Sequence, residues 1–413
     1  MIKTTEKGVR VQEMMIQPDG LLSPRIEYIS FKNSEIWFVG DYYDWQGLFK
    51  LDLLTDQTDF LGEIPSNCIN KRLQYVVVEP VDEKVLIAPY FSDDGILEYD
   101  IKTRKFKKTG IGQELGHDRK RGEVVFANVV NYKDSVYFIS NVDGIIIEYQ
   151  TKKEEYIYHQ EWINVLPKGF PVNKIEVGRH CCIQQNNIIY LVITGTRYII
   201  ELNLDNFSAI RIDIPADVKA WNMLIDGTDI YVLPTDGKRV ILFDRKTMKL
   251  KYDWLIDIKT SEEYPFYALI KWQDKIVCLP YLENKVYSIK RGQKCFTYDD
   301  ECTGIFMGNK TYGSLLGFSF IAESLQGRSV SYRIADRTIL EMYSNLVTVK
   351  AHKIKLKHSD WYSILKSIKK KRIFEENEVI KLEEYISLSF VSDTYNIADN
   401  VGEKIHEKIS CGR

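Results

Sequence analysis

No Cys-x-x-Cys pair occurs in this chain, and its seven cysteines lack the even count and regular spacing of a disulfide framework. Zinc ribbons and thioredoxin-like redox sites both depend on such paired thiols, so neither is expected. A reduced, cytoplasmic setting is the simplest expectation. No apolar run approaches the roughly eighteen residues that a helix needs to cross a bilayer. The opening Met1-Ile2-Lys3-Thr4-Thr5-Glu6-Lys7 has no apolar core of a secretory signal. Charge of one sign is also missing: 56 Lys and Arg face 58 Asp and Glu, for a net charge of −2. That argues against wholesale nucleic-acid binding and leaves only local patches.

Phosphate, zinc and calcium signatures are absent too: there is no Walker sequence, no His-Glu-x-x-His and no EF-hand loop. Gly110-Ile111-Gly112 with Gly116 imitates a dinucleotide loop but lacks the third glycine's spacing and a following helix. Gly317-Phe318-Ser319 lacks the closing glycine of a nucleophile elbow. No metal or cofactor is expected.

What the chain does have is 45% hydrophobic residues, enough to bury a core, and 12% aromatics including 26 tyrosines, a strand-forming composition. It also has a repeated phrase. Ile36-Trp37-Phe38-Val39 leads to Gly47-Leu48-Phe49-Lys50-Leu51-Asp52, and Val136-Tyr137-Phe138-Ile139 leads to Gly144–Gln150. Ile230-Tyr231-Val232-Leu233 leads to Val240-Ile241-Leu242-Phe243-Asp244. A polar residue closes each third strand: Asp52, Asp100, Gln150, Asn203, Asp244, Lys290 and Arg333. Their spacing averages about 47 residues, the period of four-stranded propeller blades.

Each unit divides into four short apolar segments. In the third these are Val124–Val130, Ser135–Ile139, Gly144–Tyr149 and Glu155–His159, separated by Asn-, Asp- and Gly-rich turns. One such sheet cannot bury both faces, whereas radial stacking of seven closes a continuous core. The expected fold is all-β: a seven-bladed β-propeller over residues 25–344, with six blades plus an irregular segment as the alternative. Residues 1–24 form an N-terminal segment in which Val9–Ile16 reads as a possible ring-closing strand. The seventh unit, Gly304 to Tyr343, carries the weakest signals. The repeat resembles bacterial β-propellers of the broad kelch-like kind, without the Gly-Gly doublet of kelch or a recurring Trp-Asp. That resemblance implies architecture, not activity.

Residues 345–413 change period and read as a helical extension. Ser359-Asp360 resemble an N-cap before Trp361, Ile364, Leu365 and Ile368, and two further amphipathic stretches follow. Their apolar faces call for the propeller's side or a partner protein. Between Lys350 and Arg372 there are nine Lys or Arg and one acid, with Glu375, Glu376 and Glu378 next, as adjoining helix ends would arrange them.

In a propeller, the second-to-third-strand turns and the sheet-to-sheet connections open on one funnel. The turns would bring Tyr42, Tyr43, Asp44 and Trp45, then Tyr90, then Tyr281 to that rim. Aromatic faces with polar neighbours suit sugars and peptides; the competing reading is that these rings pack between blades. Lys71-Arg72, Arg119-Lys120-Arg121, Arg179 and Lys219 precede innermost strands, and converging there they would attract a phosphate, a carboxylate or an acidic sugar. His117 and His180 are the histidines nearest the funnel. The function read from these residues is a non-catalytic recognition or scaffold module, binding a protein partner or an anionic or carbohydrate-like ligand. The alternative is a hydrolase or lyase acting on such a substrate.

Overall fold

The structure, a computed structural model, describes residues 26, 28–42, 45–65, 75–90, 95–115, 126–141, 143–172, 175–258, 265–280, 285–290, 292–307, 321–323, 328–333, 338–343 and 349–354, with 356, 360, 363 and 364. They form seven four-stranded antiparallel sheets, each made of four consecutive strands. Sheet one holds Ile29–Lys32, Glu35–Tyr42, Trp45–Asp52 and Gln57–Glu63. Sheet two holds Tyr75–Val81, Lys84–Pro89, Leu97–Asp100 and Lys105–Lys108, and sheet three Phe126–Tyr132, Ser135–Ser140, Ile146–Gln150 and Glu155–His159. Sheet four comprises Val177–Gln185, Ile188–Ile193, Tyr198–Asn203 and Ala209–Asp213. Sheet five comprises Ala220–Asp226, Asp229–Pro234, Arg239–Asp244 and Leu250–Leu255. Sheet six is Phe266–Trp272, Lys275–Pro280, Tyr287–Lys290 and Thr297–Tyr298; sheet seven is Ile321–Glu323, Arg328–Arg333, Thr338–Tyr343 and Val349–Lys353.

First strands touch the first strands of neighbouring sheets from one through six, and those of sheets seven and one also meet. The sheets therefore radiate from a common axis, as propeller blades do. Burial follows that geometry. Tyr75–Val81, next to the axis, is buried at every position, whereas the outermost Lys105–Lys108 is exposed apart from Phe106. The core lies between sheets: Trp37, Val39 and Leu48 of sheet one pack on Tyr75, Val78, Ile87 and Tyr99 of sheet two. Strands covered on both faces must be apolar throughout, which is why the second strands read as unbroken hydrophobic runs.

The polar residue at four of the third-strand ends is explained by the turn that follows. Asp52 Oδ1 accepts the Leu54 amide (2.8 Å), Asp100 Oδ1 that of Thr103 (2.7 Å) and Asn203 Oδ1 that of Asp205 (2.8 Å). Asp244 Oδ1 accepts the amides of Lys246 (3.0 Å) and Thr247 (2.9 Å). A short acceptor side chain thus replaces a missing main-chain partner. Four residues past each anchor the chain is left-handed, at Asp56, Arg104, Glu154, Phe207 and Met248, with φ between 54° and 56°.

The seventh sheet departs from the expected register. Arg333 ends its second strand rather than its third, and the fourth strand, Val349–Lys353, lies beyond the boundary placed at 344. The cause is a helix, Asp300–Met307, standing where the seventh unit was expected to begin. Asp299 Oδ1 accepts the Cys302 amide (3.0 Å) at its start, an N-cap within a run of acids.

Sheet seven closes on sheet one. Ile339, Ile354 and Ile364 share a core with Ile36, Phe38, Trp45 and Phe49. His352 Nδ1 bonds Asp56, Lys350 Nζ donates to the Leu53 carbonyl (3.3 Å), and Leu356 bridges Thr58. Asp360, helical together with Ser363 and Ile364, accepts the Phe60 amide (3.3 Å). The start of the extension therefore lies against the propeller's side. The possible strand Val9–Ile16 and residues 365–413 fall outside the described residues. Among those described, no helix is long and apolar enough to cross a membrane.

Candidate functional site

Polar side chains interrupt the apolar first strands just before their hairpin turns. Ser30 stands three residues before the Asn33 turn and Glu79 three before the Asp82 turn. Asn131 and Gln184 occupy the neighbouring level in sheets three and four. Since first strands line the axis, these side chains meet across sheets. Glu79 Oε2 accepts the Ser30 hydroxyl (2.9 Å), and Oε1 accepts from Asn131 Nδ2 (2.6 Å). Lys32 Nζ donates to the Pro80 carbonyl (3.2 Å), and Gln184 Nε2 to the Asn131 carbonyl (2.8 Å). Further round, Lys271 Nζ of sheet six pairs with Asp226 of sheet five (2.6 Å). A polar belt thus links sheets one to four, and a separate ion pair joins sheets five and six.

Glu79 is the chemically distinctive member. It is 6% exposed. Burial raises its carboxyl to about 7, against the opposing bonds from Asn131 and Ser30 and the charge of Lys32. Burial likewise pushes the Tyr28 phenol well up, with the negative charges of Glu79 and Cys182 adding to the effect. A carboxyl that titrates near neutrality can donate or accept a proton, or hold a hydrogen-bonding partner.

The rim residues named from the sequence fare differently. Trp45 is 1% exposed and packs on Phe49 (centroids 6.2 Å apart) and Phe60 (5.7 Å) in the core between sheets one and seven. A Cβ on Gly47 would come within 2.4 Å of its ring. With no open face, Trp45 is corrected from ligand platform to packing residue. Tyr90 is also buried, against Val76 and Tyr28, so it too belongs to the interior. Tyr42 ends its strand in register with Trp45. Lys219 is exposed just before the first strand of sheet five, as expected. Arg179 and His180 lie within the first strand of sheet four instead of ahead of it. Tyr43, Asp44, Arg72, Arg121, His117 and Tyr281 fall outside the described residues.

Sequence reasoning missed Glu79. Its one signal was an acid inside Val76-Val77-Val78-Glu79-Pro80-Val81, where an innermost strand is otherwise apolar. It also missed a set of inter-strand acids two residues before third-strand ends: Glu98, Glu148, Glu201 and Glu341. Glu148 holds His159 (2.8 Å), and Glu341 holds the buried His352 (3.1 Å). These histidines brace outer strands. No cluster of three or more His, Cys, Asp or Glu suited to a metal occurs among the described residues, and Cys182, Cys278, Cys295 and Cys302 are not joined in disulfides.

No family model matches the chain, and no curated protein matches it in sequence. The kelch-like resemblance therefore stands on the repeat alone. Among solved structures, the chain is similar to one in the mitotic checkpoint complex, with TM-score 0.49, 8% identity, and 86% of this chain and 96% of that one covered. It is also similar to YCF48 bound to D1 peptide, at TM-score 0.49 and 10% identity, covering 79% and 94%. A streptogramin B lyase aligns at TM-score 0.45 and 11% identity, covering 71% and 87%.

Proposed function

We propose that the chain is a seven-bladed, cytoplasmic β-propeller acting as a non-catalytic recognition scaffold, which binds a protein partner or an anionic or carbohydrate-like ligand at one rim. The difference between its two rims carries this reading. On one, the first hairpin turns are two residues long in sheets one to six, from Asn33-Ser34 to Gln273-Asp274. On the other, the sheet-to-sheet connections range from Asp213–Ala220 to Lys108–Phe126, His159–Val177 and Tyr298–Ile321. Variable loops on a rigid, uniform frame are how scaffolds diversify recognition. In this reading Arg72, Arg121 and Lys219, with Arg179 just inside the first strand of sheet four, are the cations of that rim, and Tyr43 and Tyr281 its aromatics.

Thermal melts in rising inorganic phosphate at constant ionic strength test the cationic part. Wild type should gain more than an Arg72→Ala/Arg121→Ala/Arg179→Ala variant, because a site-bound anion stabilises by mass action, about 2.7 kcal/mol at a hundredfold excess over Kd. The shared gain is the nonspecific salt effect. Equal gains would remove the anion site.

One observation favours a second reading: Glu79, titrating near neutrality beside the axis, would serve a hydrolase or lyase as its proton-transfer group.

A further inference from the structure

The outer strand of sheet two differs in charge from its counterparts. Lys102-Thr103-Arg104-Lys105-Phe106-Lys107-Lys108 carries five cations in seven residues, and all of them are exposed. The outer strands of sheets four and five mix their charges, Arg211 with Asp213 and Lys251 with Asp253, while that of sheet seven, Val349–Lys353, carries only two lysines. The acids near the strip come from outside it. Lys102 pairs with Glu83 (2.5 Å) and Lys107 with Glu98 (3.3 Å). Glu154 of the neighbouring sheet bonds Lys84 (2.6 Å).

The strip is held in place from beneath. Asp100 fixes the preceding turn through the Thr103 amide (2.7 Å), and Arg104 takes the left-handed position, φ 54°. Phe106 anchors the strand: its ring lies 4.7 Å from that of Tyr99, and a Cβ on Gly62 would meet it at 3.1 Å. Tyr99 is itself tied to the Leu61 carbonyl (2.8 Å). Main-chain polarity along the edge follows from register. The Thr109 amide donates inward to the Ile96 carbonyl (3.1 Å), and Glu98 and Asp100 pair with Lys107 and Lys105. Alternation then turns the main-chain groups of Phe106 and Lys108 away from the sheet.

We propose that this edge is a docking site for an acidic extended peptide, which adds as a fifth strand to sheet two with its carboxylates beside Arg104 and Lys105. Charge complementarity selects the peptide's composition, and the outward main-chain groups select a strand over any other polyanion. Lysines on an edge also discourage unwanted pairing between like edges. Like charge disfavours a basic strand here, and an acidic one is admitted. The site lies on the propeller's side wall and is independent of the rim.

The test is fluorescence anisotropy with a labelled peptide of alternating threonine and glutamate. Binding should weaken as salt rises, and Arg104→Glu/Lys105→Glu should weaken it about tenfold or more. Lys108→Pro removes an outward amide without touching the sheet's own ladder. It should therefore bind more weakly than Lys108→Ala, with melting curves for both close to wild type. The proposal is overturned by absence of peptide binding. It is equally overturned if inorganic polyphosphate binds as tightly as the peptide and the proline and alanine variants behave alike, since the strip would then read charge only.

Discussion

Replacing Lys275 by alanine should lower the unfolding free energy by roughly 3–5 kcal/mol, the usual cost of leaving a buried charge without its partner. Lys275 opens the second strand of sheet six, and its Nζ lies 2.8 Å from Asp299 and 3.1 Å from Glu301. Lys275 and Asp299 side chains are only 8% and 10% exposed. Burial alone would raise the Asp299 carboxyl. The Cys302 amide, the Lys275 ammonium and the Ser288 hydroxyl outweigh it and hold that carboxyl down at about 2. The ammonium is correspondingly pushed up: burial would lower it, and the bonds to Asp299 and Glu301 prevail. Asp299 also starts the helix Asp300–Met307, so an orphaned carboxylate there loosens both the helix and sheet six. Denaturant titration measures the loss. A Lys275→Met/Asp299→Leu variant should recover part of it, because removing both charges spares the desolvation cost. A single-variant loss below about 1 kcal/mol, the range of an exposed pair, would contradict this account.

The second large effect concerns pH. The folded protein keeps the Glu79 proton up to about pH 7, whereas an ordinary glutamate releases it near 4.5. Between those values the folded state binds more protons than the unfolded chain, so stability falls as pH rises. The full difference, on the order of 3 kcal/mol, is reached above pH 7. Glu79→Gln keeps a hydrogen-bonding side chain without the titration, and its melting temperature should fall less over the same span. Asp299 acts in the opposite sense, losing its contribution only as pH drops from about 3.8 towards 2, which leaves the two windows separate. Parallel wild-type and Glu79→Gln profiles would show that the axial carboxyl does not titrate as described.

The repeat was legible because its punctuation is physical. Asp52, Asp100, Asn203 and Asp244 each accept turn amides, so the same residue type returns wherever the same turn does. Sheet three follows its expected strands to within a few residues. Sheet seven was misread because the helix Asp300–Met307 stands where its unit was expected to begin, and the count shifts by one strand. The site was far less legible. Trp45 lies in the most aromatic stretch of the chain, but composition does not say whether a ring faces a rim or a neighbouring sheet, and Phe49 and Phe60 decide it. Glu79 owes its raised carboxyl to burial among neighbouring sheets, and its bonding partners Ser30 and Asn131 lie 49 and 52 residues away in other sheets. Local spacing carries no trace of partners brought together by ring geometry.

Closure of sheet seven on sheet one is most directly tested by a Thr58→Cys/Leu356→Cys variant. The bridge between these residues places their Cα atoms within disulfide range. Mild oxidation followed by peptide mapping should recover one intramolecular disulfide joining the two substituted positions in nearly all molecules, with a raised melting temperature. Failure to form it, or crosslinks only between molecules, would mean that the sheets do not close around an axis.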